Sequence, residues 1–218
     1  MKQVALTYYS DVLCIWAYIA QARVDELMQK FPEQLTIEFR FCSIFGDTHN
    51  KIGMGWQDRG GYTGFGKHAL DSVKDFPHVK VNPELWENCR PASSAPAHLM
   101  LKAVQNVENA KCEPVLKAIR QAFFEKCQDI AQWSVLQDIV VQSGVSLDAV
   151  QDNVDRGIAH AALEADIREQ HALMVQGSPS FILNDGRQKL YGNVGYGVIE
   201  ANIKELLRSA NSGAASWC

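Results

Sequence analysis

The sequence predicts an α/β fold: a βαβ unit near the N-terminus and a ββα unit near the C-terminus share one four-stranded sheet, with a large all-helical insertion between the two halves. Three observations predict it. Residues 4–9 and 35–41 have strand character on either side of a helical stretch. Residues 67–176 contain no good strand. Asn184-Asp185-Gly186 then separates two short strands that precede a last amphipathic helix.

Val4 to Tyr9 is short, apolar and aromatic, the pattern of a buried strand. Ser10 and Asp11 follow as turn or capping residues. A helix is expected from Ile15 to Lys30, with Ala20, Val24, Leu27 and Met28 on one face and Pro32 as its stop. Leu35 to Phe41 alternates apolar and polar residues, as a strand with one buried face does. Short joints between these elements imply a right-handed βαβ unit with parallel strands. Gly53, Gly55, Gly60, Gly61, Gly64 and Gly66 mark residues 43–66 as an irregular loop.

Helical patterns then cover residues 93–107, 113–125, 132–143, 147–156 and 158–173. Ser134 and Ser146 are the expected N-caps, and Gly144 a helix stop. Phe181–Leu183 and Gln188–Tyr191 read as strands, and Val198–Ser209 as the final helix. A βαβ and a ββα unit on one sheet make a thioredoxin fold. Residues 1–62 and 174–212 would form its discontinuous domain, 63–173 the helical insertion, and 213–218 a loose tail.

The 218 residues are 47% hydrophobic and 21% charged, with a net charge of −4. This is ordinary for a globular chain and unlike a nucleic-acid-binding surface. No apolar run reaches the length of a bilayer span. Thr7 to Asp11 interrupt any signal-peptide core, so a cytoplasmic protein beginning at Met1 is expected, with no membrane partner. The six cysteines are scattered without CxxC or zinc spacing, so free thiols and no metal are expected. Gly61–Lys67 imitates a phosphate-binding loop, but His68 stands where Ser or Thr is needed and no strand precedes it.

Cys14 lies between a strand and a helix. Unpaired N–H groups and the helix dipole favour a thiolate there, and a thiolate attacks disulfides. Pro179, in Gly177-Ser178-Pro179-Ser180, opens a later strand.

"YYSDVLCIWAYIA" resembles the active-site entry of the DsbA-like thioredoxin superfamily, in particular its FrnE-like branch. "SPSFILN" resembles the family's cis-proline strand, "LYGNVGYGVIEANIKELL" its closing strand and helix, and "WENCRPASSAPAHLMLKAV" the start of its insertion. Kappa-class glutathione transferases and 2-hydroxychromene-2-carboxylate isomerases share this architecture. The resemblance covers nearly the whole chain. It implies Cys14 as the attacking cysteine, Pro179 as the cis-proline, and Ser178 as a residue whose backbone pairs with an extended peptide or glutathione.

Trp16 would wall the pocket, Asp11 would cap locally, and Asn193 near the last helix would bind a γ-glutamyl carboxylate. Trp56, Tyr62 and Phe65, with a mobile Gly60–Gly66 edge, would either line a pocket or pack locally.

The motif departs from the family at Cys14-Ile15-Trp16-Ala17. Ala17 replaces the second cysteine, so dithiol cycling within the motif is impossible. Cys42, expected at the same sheet edge, and Cys218 are the other candidates to resolve a mixed disulfide; Cys89, Cys112 and Cys127 are expected to be structural.

The leading expectation is a thiol–disulfide oxidoreductase acting through one thiolate. Glutathione is a co-substrate rather than a bound cofactor, and a homodimer is kept open. The alternatives are a glutathione-dependent transferase or isomerase, and a non-catalytic thiol- or peptide-binding module.

Overall fold

Strand β1 spans Val4–Ser10, helix α1 Ile15–Lys30 and strand β2 Leu35–Phe41 in the computed structural model, which describes residues 3–208. The start at Met1, the expected tail at 213–218, Cys218 and the helix end at Ser209 lie outside the described residues. β1 and β2 are parallel, in register from Val4 opposite Leu35 to Ser10 opposite Phe41. β3 (Ser180–Leu183) runs antiparallel to β1, and β4 (Gln188–Tyr191) antiparallel to β3. The sheet order is β2-β1-β3-β4. Asn184, Asp185 and Gly186 all take positive φ in the turn between β3 and β4, conformations that Asn, Asp and Gly tolerate best. Helix α8 (Tyr196–Arg208) closes the fold. This is a thioredoxin fold with a helical insertion.

Period-two alternation decides the two faces of the sheet. Leu6, Tyr8 and Phe39 enter the main apolar core, while Tyr9 and Ile182 enter a smaller cluster with Cys42 and Val175. On α1, Ala20, Val24 and Leu27 are fully buried, whereas Met28 is 41% exposed. The expectation for Met28 was wrong: it lies about 80° round the helix from Ala20, at the edge of the stripe and in the last turn.

The glycine-rich segment is ordered helix, not loop. A π-helical turn covers His49–Met54, a 3-10 turn Gln57–Arg59, and α2 runs over Gly61–Ser72. The glycines serve close approach. A Cβ at Gly66 would lie 2.5 Å from the Leu85 carbonyl oxygen, and one at Gly64 would overlap the Arg59 carbonyl. Residues 62 and 63 both fall inside α2, so the expected domain boundary cuts a continuous helix.

The rest of the insertion comprises α3 (Ala95–Val107), α4 (Cys112–Phe124), α5 (Trp133–Gln142), α6 (Leu147–Asp155) and α7 (Ile158–Ala172). Ser146 caps α6, accepting from the Ala149 N–H at 3.4 Å. Gly144 follows α5 with φ of +72°. Ser134 is not a cap. The entry to α5 is organised upstream, where Asp129 accepts from the Ala131 N–H at 2.9 Å and from the Gln132 amide at 3.0 Å. One apolar core continues from the sheet into the insertion, through Leu116, Phe123 and Val140.

Candidate active site

The turn between β1 and α1 places Cys14 at the N-cap of α1, with φ −82° and ψ 117°. Its N–H donates to the Asp11 carbonyl at 3.1 Å, and its own carbonyl accepts from Tyr18 N–H at 3.0 Å, which starts the helix. The thiol donates to the Ser178 carbonyl at 3.1 Å. The Ser178–Pro179 peptide bond is cis. The Ser178 hydroxyl accepts from the Asp11 N–H at 2.9 Å, leaving its proton to face the neighbouring Cys14 and Cys42 sulfurs. Cys14, Asp11, Ser178 and Pro179 are thus brought together from the two halves of the fold, although 164 residues separate Cys14 from Ser178.

Asp11 does far more than cap locally. Its Oδ1 accepts from Leu13 N–H at 2.9 Å, shaping the turn into Cys14. Its Oδ2 accepts from Ile44 N–H (2.9 Å), Phe45 N–H (2.8 Å) and the Ser94 hydroxyl (2.9 Å). One fully buried carboxylate therefore joins the active-site turn, the segment after β2 and the start of α3. Burying it is tolerable because these lone pairs are occupied. His98 of α3 stands 3.7 Å from Asp11 Oδ1. Its Nε2 accepts from Val12 N–H at 3.1 Å, so that nitrogen carries no proton. Burial pushes the His98 pKa down, so the ring is neutral and forms no ion pair with Asp11.

Cys14 is only 6% exposed. Burial pushes its thiol pKa up from the ordinary value, and the Asp11 charge adds to this; the Ser178 hydroxyl and the backbone N–H groups of Ala17 and Trp16 oppose it. The expected helix-terminus effect is therefore present, but desolvation outweighs it in the uncomplexed site. The Ser178 N–H makes no hydrogen bond among the described residues and is available to an incoming backbone.

Trp16 is half-buried at the start of α1 and packs against the main core. Ala17 is fully buried, and its carbonyl accepts from the Tyr8 hydroxyl at 3.4 Å. Asn193 is held from α1 by Arg23 rather than by a residue of the Cys14 turn. Its Oδ1 accepts from Arg23 at 2.7 Å, and Arg23 lies about 14 Å along α1 from Cys14 at the usual helical rise. Trp56, Tyr62 and Phe65 pack locally with Phe45 and Trp86, with Trp56 and Phe65 rings 4.9 Å apart. Cys42 follows β2 at the Cys14 end of the sheet and donates its N–H to Ser10 O at 3.2 Å. Its thiol belongs to the smaller apolar cluster yet lies beside the Ser178 hydroxyl and close enough to Cys14 and Asp11 to feel their charges; burial pushes its pKa far up.

Sequence reasoning gave no site role to His98, Ser94 or Arg120. A signal existed for His98, a lone polar ring among Ala97, Met100 and Leu101 on the apolar side of α3. Arg120 is fully buried, donating to Ser10 Oγ at 2.9 Å and to Gln21 Oε1. It sits behind Tyr8, whose hydroxyl burial pushes up to about 12 against the pull of that guanidinium.

A family model described as a DSBA-like thioredoxin domain matches residues 5–204. The chain belongs to the DSBA-like thioredoxin domain family. Solved structures share the family fold over nearly the full length. A putative protein disulfide isomerase from Nitrosomonas europaea superposes with a TM-score of 0.74 at 16% identity, covering 97% of this chain and 100% of its own. The cytosolic disulfide reductase DsbM from Pseudomonas aeruginosa with GSH gives 0.67 at 18% identity, covering 94% and 98%. A 2-hydroxychromene-2-carboxylate isomerase gives 0.67 at 16% identity, covering 97% and 100%. At these identities the likeness is one of fold. No curated protein matches the sequence. Among the described residues, no helix is long and apolar enough to cross a membrane.

Proposed function

We propose that this DSBA-like chain is a thiol–disulfide oxidoreductase acting through the single thiolate of Cys14, with glutathione as the thiol that completes the cycle. The observation that carries this is the Cys14 thiol, 3.1 Å from the Ser178 carbonyl at the start of α1, beside an unpaired Ser178 N–H. An extended peptide or glutathione backbone would pair at Ser178 as an added strand, with Trp16 as one wall.

The Cys14 thiolate attacks a glutathione mixed disulfide, taking the glutathionyl sulfur and releasing the substrate as a thiolate. A second glutathione thiolate then attacks that sulfur, giving glutathione disulfide and regenerating Cys14. No second protein thiol is required, which suits the alanine at position 17. The likeness to a DsbM structure holding GSH is consistent with this reading, and the same sulfur chemistry suits a reducing compartment.

The test is glutathione-dependent reduction of a small glutathione mixed disulfide, together with mapping of the adduct formed with glutathione disulfide. Activity and the mapped adduct should both be lost in Cys14→Ser; retention of either in that variant would overturn the proposal.

One observation favours a second reading, a glutathione-dependent transferase or isomerase. The Cys14 thiol, pushed up by burial, is held as a hydrogen-bond donor, the form that would steady a bound glutathione thiolate. Glutathione conjugation of a chlorinated aromatic that survives in Cys14→Ser would favour it.

A further inference from the structure

The helix that carries Cys14 also carries a cation without a carboxylate. Arg23 of α1 is half-buried, and among the described residues it enters no ion pair. Burial pushes its pKa down, opposed only by the Tyr8 hydroxyl. A guanidinium offers five N–H donors in a planar fork. One of them donates to Asn193 Oδ1 at 2.7 Å. The Phe76 ring backs the fork, with its centroid 5.7 Å from the guanidinium carbon, and such stacking fixes the plane. Asn193 is exposed, and its side-chain NH2 makes no hydrogen bond among the described residues. Its one acceptor is already taken by Arg23. The two side chains therefore present donors and no acceptor, the pattern that suits a planar anion.

This patch is joined to the reacting end of the sheet. Gly192 N–H donates to the Pro179 carbonyl at 2.8 Å, so Asn193 directly follows the residue that grips the cis-proline. Trp16 and Arg23 are nearly two full turns apart and share one stripe of α1. The Arg23 backbone lies about 14 Å along the helix from Cys14, and long helical side chains lean back toward the N-terminus. That lean leaves a gap of roughly 8 Å between the guanidinium and Cys14. An extended glutathione holds its two terminal carboxylates roughly 7–10 Å from its sulfur.

We propose that Arg23 and Asn193 form an anion subsite of the Cys14 site, which takes a terminal carboxylate of a thiol substrate of the glutathione class. The subsite rests on the reading of Cys14 as a thiol-exchange site and adds what that site selects. Holding Asn193 in place needs one donor, which a neutral amide supplies. A desolvated charge with no counter-ion is costly, and it is suited to a ligand that brings the opposite charge. The glutathione cysteinyl backbone would pair at Ser178, beside Trp16, and one end of the tripeptide would run along α1 to the Arg23 fork.

The experiment is calorimetric titration of the full-length protein with S-methylglutathione, which cannot exchange sulfur. Arg23→Met should weaken binding roughly tenfold or more, the worth of a charge-assisted hydrogen bond. Two analogues identify the carboxylate: the glycine monoethyl ester of S-methylglutathione, and S-methylcysteinylglycine, which lacks the γ-glutamyl end. The analogue missing the carboxylate held by Arg23 should bind the natural protein roughly tenfold more weakly and be indifferent to Arg23→Met. The other should remain sensitive to it. Arg23→Gln keeps a donor for Asn193 and removes the charge, so it reads the same loss if Arg23→Met folds poorly. The proposal is overturned if S-methylglutathione does not bind the natural protein, if neither variant weakens it, or if both analogues are weakened equally by the loss of Arg23. Because no sulfur chemistry takes place in the titration, its outcome is separate from the turnover test of Cys14.

Discussion

Two buried aspartates hold this molecule together, and they do so by opposite means. Asp11, at the reacting end of the sheet, accepts from three backbone N–H groups and one hydroxyl, with a neutral His98 beside it. Asp166 of α7, at the far side of β2, is met by cations: Lys102 Nζ at 3.1 Å and Arg40 Nε at 4.0 Å. It also accepts from Phe41 N–H at 3.2 Å. Asp166 therefore has its charge cancelled where it stands, while the charge of Asp11 is only solvated by dipoles. The difference reaches the chemistry. Asp11 contributes to raising the Cys14 thiol, whereas Asp166 is spent on pinning α3 and α7 against the edge of the sheet.

The largest effect is expected from Asp11→Ala. It strands three buried donors, each of which costs about 1–3 kcal/mol when unsatisfied, and the half-buried Ile44 N–H. A loss of about 4 kcal/mol or more is expected in urea unfolding, enough to remove most of the stability of an ordinary domain. Asp11→Asn keeps the shape and removes the charge. It should cost about 2 kcal/mol, because its NH2 must face a donor. If enough folded protein remains, the pH profile of Cys14 alkylation should move to lower pH, since a negative charge that disfavours the thiolate is gone. An unmoved profile would mean that the Asp11 charge does not reach Cys14.

Lys102→Met comes next. It leaves Asp166 buried with Arg40 at 4.0 Å as its remaining cation among the described residues, beside the Phe41 N–H, and breaking such a pair costs about 3 kcal/mol or more. The double variant Lys102→Met/Asp166→Leu should recover most of that loss, since a packed apolar pair substitutes well for a buried ion pair. Neither variant should shift the Cys14 alkylation profile, and a shift would erase the distinction between the two carboxylates. Burial pushes the Asp166 pKa above its usual value despite Lys102. Its contribution is therefore fully present below the unfolded-state pKa and is lost as pH rises through the folded-state pKa. Replacing it should cut stability less at neutral pH than at pH 3.

The fold was legible because its signals are local. The alternation in Leu35–Phe41, Pro32 after α1 and the Asn184-Asp185-Gly186 turn each mark an element within a few residues. Cys14 and Pro179 were legible as ends of elements. The carboxylate contacts were not, because Asp11 binds Ile44, Phe45 and Ser94, partners up to 83 residues away. The glycines of 60–66 misled for a related reason. Their small size answers the backbone approach of Arg59 and Leu85, which is a tertiary demand, and in the sequence it looks the same as a demand for flexibility. The raised Cys14 thiol was hidden because a helix terminus is visible in sequence and the depth of burial around it is not.

The smallest and most discriminating change is Ser178→Ala. It leaves the Ser178 carbonyl and N–H in place and deletes the hydroxyl that receives the Asp11 N–H and steadies the Cys14 sulfur. One lost hydrogen bond should cost about 1 kcal/mol. The Cys14 alkylation profile should move to higher pH, opposite in sign to Asp11→Asn, because a donor to the thiolate has gone while the opposing carboxylate stays. If the two variants are combined and the sites act separately, the shifts should cancel in part. If Ser178→Ala moves the profile downward instead, the hydroxyl donates elsewhere, and Cys14 is governed by its burial and by Asp11 without help from the Ser178 hydroxyl.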